Sequence, residues 1–172
     1  MANRAGGGAP SALVTAAGVG ECDVAACAGG VRAACHVVVE PTNLWRPVAA
    51  GTVRGIDFEL EGDGAVRVAG TQDGTGPVSS VYAAASALEA GTYTLSCSGL
   101  AGGVSPKLKL DVDGAATRYV GATAEGRAFD AAEGTTCTCY VEVAKGAVVD
   151  ATLRPMLEVG STAHPYVPYD MT

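Results

Sequence analysis

From residue 56 onward the chain alternates apolar and polar positions with a period of two. In "GIDFELEGDGAVRVAG", Ile56, Phe58 and Leu60 alternate with Asp57, Glu59 and Glu61, Asp63-Gly64 supplies a turn, and Val66 and Val68 resume the pattern. Successive strand side chains point to opposite faces, so this stretch predicts a β-hairpin with one buried and one wet face. Strand patterns recur in "PVSSVYAAASAL", "GTYTLSCSG", "PKLKLDV", "ATRYVGA", "TTCTCYVEVA" and "AVVDATLRPMLEV". Turn signals separate them at intervals of about 8 to 12 residues, the rhythm of an all-β sandwich or barrel. The alanines of "SSVYAAASALEAG" suit a helix, but their place between a strand and a turn favours β.

Residues 1–40 read differently. They are rich in Gly and Ala with weak periodicity until "VRAACHVVVEP", a β-branched run that stops at Pro41. The expectation is an N-terminal anchoring arm with one strand over 1–40, followed by a β-sandwich domain over 41–172. Composition agrees with that division. Of 172 residues 48% are hydrophobic and 24 are glycine, enough for one core and suited to short strands rather than long helices.

Charge narrows the partners. The formal net charge is −7 and the sequence has no run of Lys or Arg, so the basic footprint that neutralises phosphates is missing and nucleic acid is not an expected partner. The N-terminal stretch lacks a signal-peptide apolar run, and nothing approaches the roughly 18 apolar residues of a spanning helix. A soluble protein with no membrane partner is expected.

Few residue groups carry chemistry. His36 sits in a hydrophobic strand and His164 precedes a proline, and neither has the nucleophile and orienting partner of a catalytic constellation. "GTQDGTG" lacks the Gly-Lys-Ser/Thr ending of a phosphate loop. Asp57, Glu59 and Glu61 point outward from a flat strand and Asp63 sits at its turn, a poor cage for a cation that wants six to eight converging oxygens. Cys137 and Cys139 share one strand face, unlike a turn-borne C-x-x-C, and all six cysteines read as buried thiols. No catalytic residue, metal ligand or cofactor is expected.

Aromatic rings with a polar handle remain. Tyr93 and Tyr140 lie within strands and read as core, whereas Trp45 and Tyr119 are the candidate ligand-binding rings at the surface. The ending "RPMLEVGSTAHPYVPY" holds three of the eight prolines and two of the six tyrosines. Pro165 and Pro168 keep the tail extended so that Tyr166 and Tyr169 can lie back over the sandwich as a structural clasp.

The order "NLW", "GIDFELEGDGAVRVAGTQDG", "LEAGTYTLSCSG", "LKLDVDG" and "LRPMLEVGSTAHPYVPY" resembles a module of bacteriophage and prophage minor structural proteins, tail-associated or head-decorating. The resemblance runs in blocks from about residue 43 to 169 and is most specific at the end; His164 stands where a threonine is more usual. It implies a jelly-roll-like antiparallel sandwich akin to carbohydrate-binding modules. It also implies a non-enzymatic virion protein, assembled in the bacterial cytoplasm, whose N-terminal region docks on other capsid or tail proteins while the sandwich faces outward. The expected assembly is a homo-oligomer, for example a trimer, and a surface glycan is the expected ligand. The rival expectation is a glycan-binding adhesin domain of a bacterial surface or host-recognition system.

Overall fold

The structure, a computed structural model, describes residues 20–28, 30–112 and 117–169. It divides into two compact units, Met1–Glu40 and Pro41–Thr172.

In the first unit, β1 (Gly20–Ala28) and β2 (Val31–Val39) form an antiparallel pair. The sequence reading gave this region one strand; alanine-rich "CDVAACA" carries little β-propensity of its own, and pairing with β2 supplies what propensity does not. Register separates the faces. Cys22, Val24 and Ala26 lie opposite Val37, Cys35 and Ala33, whereas Glu21 and Asp23 lie opposite Val38 and His36. His36 meets Asp23 through Nδ1 at 2.9 Å and Glu21 through Nε2 at 3.6 Å. Cys22, Cys27 and Cys35 are exposed, which corrects the expectation that all six cysteines are buried. A two-stranded ribbon has no interior in which to hide a thiol.

The second unit is all-β. Its strands are β3 (Gly51–Val53), β4 (Ile56–Leu60), β5 (Val66–Thr71), β6 (Val78–Tyr82), β7 (Ser86–Ala87), β8 (Gly91–Ser98), β9 (Val104–Asp111), β10 (Arg118–Gly121), β11 (Arg127–Ala131), β12 (Thr136–Ala144) and β13 (Val148–Val159). One sheet runs β10-β9-β12-β6, with β7 also on β12; the other runs β11-β8-β13-β5-β4-β3. Every strand pair is antiparallel, and the sheets pack as a sandwich around one core. Strands β3 and β11 escaped the sequence reading because each is short, and Phe129 is the one large apolar residue of "RAFDA".

Alternation builds that core. The first sheet contributes Leu108, Leu110, Cys137, Cys139, Val141 and Val143; the second contributes Ile56, Phe58, Val66, Leu95 and Leu153. Leu60, expected inside, is exposed where β4 ends. The β4–β5 turn needs its glycine: Gly64 has φ 83, in the left-handed region where a Cβ is costly. Gly99, just after β8, has φ 77, and a Cβ there would collide with the Thr152 carbonyl.

The outer face of the second sheet is also closed. Thr94 and Ser96 on β8 lie opposite Glu158 and Met156 on β13, and all four are buried. The terminal segment after β13 lies on Thr94 and Glu158, and the loop between β10 and β11 reaches Ser96 through Thr123. Thr94 Oγ1 donates to the Gly160 carbonyl at 2.7 Å, the His164 amide donates to Glu158 Oε1 at 3.0 Å, and His164 Nδ1 lies 2.6 Å from Glu158 Oε2. Further along, the Tyr166 hydroxyl donates to the Asp63 carbonyl at 2.6 Å, and Tyr169 bridges to Asn43.

Asn43 is the latch for both ends of this unit. Its Nδ2 donates to the carbonyls of Pro155 at 3.2 Å and Val167 at 3.0 Å, while its Oδ1 accepts from the amides of Trp45 and Leu157. A primary amide can make four such bonds, and a buried one is stable only when they are made. The opening "NLW" and the ending "PYVPY" are thus parts of one contact.

Trp45 follows from that latch. Held by Asn43 through its backbone, its ring is 1% exposed and joins the core. The expectation of a ligand-binding surface ring at Trp45 is therefore corrected: a ring without accessible faces cannot stack on a ligand.

Candidate functional site

The other sheet leaves its outer face open. On β12, Cys137, Cys139, Val141 and Val143 take the core side, so Thr138, Tyr140 and Glu142 must point outward. On β9 the inward set Val104, Leu108 and Leu110 sends Lys107 and Lys109 to the same outer face. Register then aligns a row across four strands. Gly121 on β10 is opposite Lys107 on β9, Lys107 is opposite Tyr140 on β12, and Tyr140 is opposite Tyr82 on β6. A second row runs Tyr119, Lys109, Thr138.

Directly opposed strand residues are within contact range of one another, and here three tyrosines converge. Tyr82 and Tyr140 stack with ring centroids 5.1 Å apart and planes 20° apart. Tyr119 meets Tyr140 edge-on at 6.4 Å and 82°. Tyr82 is 52% exposed and Tyr119 is 60% exposed, whereas Tyr140 between them is 5% exposed. Tyr140 is buried as expected, but by its aromatic neighbours on the outer face; it is not part of the core cluster.

These rings and their polar neighbours line an open-sided cleft of about 960 Å³, completed by Gly121 and by Arg127 from the start of β11. Glycine at 121 leaves the floor of the row low beside Lys107, because its place carries no side chain.

Charge is arranged with the same regularity. Lys107 is paired with Glu142 across the strands, and both are largely covered. Lys109 donates to Asp111 at 2.7 Å. The Asp111 carboxylate holds the Lys109 ammonium above its ordinary range, and Lys109 together with the Thr117 hydroxyl holds Asp111 below its own. Arg127 forms no ion pair among the described residues. Burial, reinforced by Glu142 and the two other rings, pushes the Tyr140 phenol up to about 12.

Such a surface carries the groups that a hydroxyl-rich ligand can use. Tyrosine faces offer apolar area to the C–H face of a sugar ring, while ammonium, guanidinium, hydroxyl and carboxylate groups at its rim take hydroxyls. The sequence reading placed Tyr119 here and missed Tyr82, Lys107, Lys109 and Arg127. The signal for the lysines was present: "PKLKL" alternates, and whichever sheet buries its leucines presents both lysines together.

The remaining residues of interest lie elsewhere. His164, in the terminal segment, is bound to the buried Glu158 beneath it. Asp57 accepts from Thr52, Glu59 and Asp150 flank Arg67, and Asp63 Oδ1 accepts from the Ala65 amide. Among the described residues, no group of three or more His, Cys, Asp or Glu is placed to hold a metal ion.

No protein-family model, curated protein or solved structure matches this chain.

Proposed function

We propose that this chain is a non-enzymatic attachment protein whose sandwich holds a saccharide on the β10-β9-β12-β6 face. Its 40 N-terminal residues fix it to a larger particle. The observation that carries this reading is the platform of Tyr82, Tyr140 and Tyr119 with cations at its rim. The cleft favours binding over turnover: glycoside hydrolysis normally needs two flanking carboxylates, and Glu142, the carboxylate lining this cleft, is committed to Lys107.

The particle in this proposal is a bacteriophage virion, with the chain as a capsid decoration or tail accessory and its sandwich of the jelly-roll-like type. Support comes from the resemblance of the "NLW" and "RPMLEVGSTAHPYVPY" blocks, which Asn43 and Tyr169 join in space. Repeated copies on a symmetric particle would turn weak single-site binding into useful avidity.

The test is retention of the purified protein on a panel of immobilised polysaccharides, beside Tyr82→Ala and Tyr119→Ala. Each substitution removes a half-exposed ring that also packs on Tyr140, so the melting temperature should fall by only a few degrees while retention falls by about tenfold, the order of one lost stacking contact. Retention that ignores both substitutions, or none on any polysaccharide, sinks the platform reading. Mass spectrometry of purified virions from a producing host tests the carrier. Absence of the chain from particles, together with retention on cells of that host, would shift the same site to a bacterial surface adhesin.

A further inference from the structure

The geometry points to an acidic saccharide, one bearing a carboxylate on its ring, as the ligand of this cleft, with Arg127 as the residue that selects it. This rests on the proposed saccharide-binding role of the tyrosine platform and adds the ligand class.

The chain as a whole has 18 acidic and 11 basic residues, a net charge that repels anions. The cleft inverts that balance. Lys107, Lys109 and Arg127 line it, Glu142 answers the first and Asp111 at its edge answers the second, which leaves one positive charge in excess. The hydroxyls of a neutral sugar are served as well by uncharged donors, so an excess cation favours an anionic ligand. A local positive field inside an acidic protein is what an anionic ligand requires in order to approach at all.

The three cations differ in what they have left to give. The Lys107 ammonium is answered by Glu142 and that of Lys109 by Asp111. Arg127 has no such partner among the described residues. A guanidinium presents a planar fork of donors that matches a carboxylate in two parallel hydrogen bonds. One unanswered monovalent cation beside an aromatic platform therefore suits one monovalent anion on a stacked ring. A hexuronate residue has this form: a pyranose ring with a single carboxylate at its edge.

Polygalacturonate and its fully methyl-esterified form separate the alternatives, since they share a backbone and differ in charge. Dextran sulfate and plain dextran add a sulfate arm. Affinity electrophoresis of the full chain should show polygalacturonate bound at least about tenfold more tightly than its methyl ester, the order of one charge-assisted hydrogen bond. Raising ionic strength should erode that preference, because exposed charges are screened. Arg127→Gln, an exposed substitution, should remove the preference without lowering the melting temperature, while Tyr119→Ala weakens both polymers alike.

Equal binding of the acid and its ester overturns the inference and leaves the saccharide-binding role standing. A preference for dextran sulfate over polygalacturonate overturns the carboxylate assignment, and a preference that survives Arg127→Gln overturns the role of that residue. If none of the four polymers binds, the inference falls; if the wider polysaccharide panel is also silent, the platform reading falls with it.

Discussion

The Tyr166 hydroxyl donates to the Asp63 carbonyl, and burial, with the nearby Asp63 carboxylate, pushes its pKa from 10.0 up to about 12. The neutral phenol is the form the fold prefers, so its contribution is complete below about pH 10 and disappears as pH rises through about 12. Unfolding midpoints in urea should therefore fall across that interval, and Tyr166→Phe should make the fall shallower. Absorbance at the phenolate band should show late titration of Tyr140 as well, since it too is pushed up to about 12. An unchanged pH slope in Tyr166→Phe would mean that the terminal segment is not held through this hydroxyl. Individual residues were read unevenly from sequence. Tyr119 was legible as a surface ring. Trp45 was not, because it lies outside any strand, where alternation says nothing, and its burial depends on Asn43 contacting residues more than a hundred positions away.

Strands were easier to read than their faces. In β12 two alternating series compete, Cys137, Cys139, Val141 and Val143 against Thr138, Tyr140 and Glu142, and only the first joins the core. Counting the charged Glu142 as decisive would have turned Tyr140 outward and revealed the platform. Thiol chemistry separates the elements directly. Cys97 is buried and held up to about 12, and Cys139 is raised well above the ordinary thiol range by Cys137 and by burial. A buried neutral thiol is a poor nucleophile. Cys137 is drawn the other way, below the ordinary thiol range, by its hydrogen bond with Cys139, and is shielded by burial alone. Brief alkylation of the native protein should modify the three cysteines of the β1–β2 ribbon, Cys22, Cys27 and Cys35, and spare Cys97, Cys137 and Cys139 until denaturant is added. Peptide mapping that finds Cys35 and Cys22 protected would show that a partner surface covers the apolar side of the ribbon. Reaction at Cys139 would overturn the assigned face of β12.

The two outer faces of the sandwich serve opposite ends. On the β11-β8-β13-β5-β4-β3 side, Thr94 and Glu158 are sealed beneath the segment that begins at Gly160. On the β10-β9-β12-β6 side, Tyr82 and Tyr119 stand open beside Arg127. The two faces share one core but no residue. A chain ending at Gly160 tests the separation. It loses two bonds between His164 and Glu158, the Tyr166 bond to the Asp63 carbonyl and the Asn43 bond to the Val167 carbonyl, together about 4 kcal/mol at the usual net value near 1 kcal/mol each. For a domain of this size that corresponds to a melting temperature lower by roughly 10 to 20 °C. Below that temperature the shortened chain should still bind polysaccharide with the affinity of the whole chain, since none of the lost residues lines the tyrosine cleft. Calorimetry for the first quantity and affinity electrophoresis for the second read the two faces independently. Loss of binding in a shortened chain that still melts cooperatively would show that the clasp shapes the site as well as the fold.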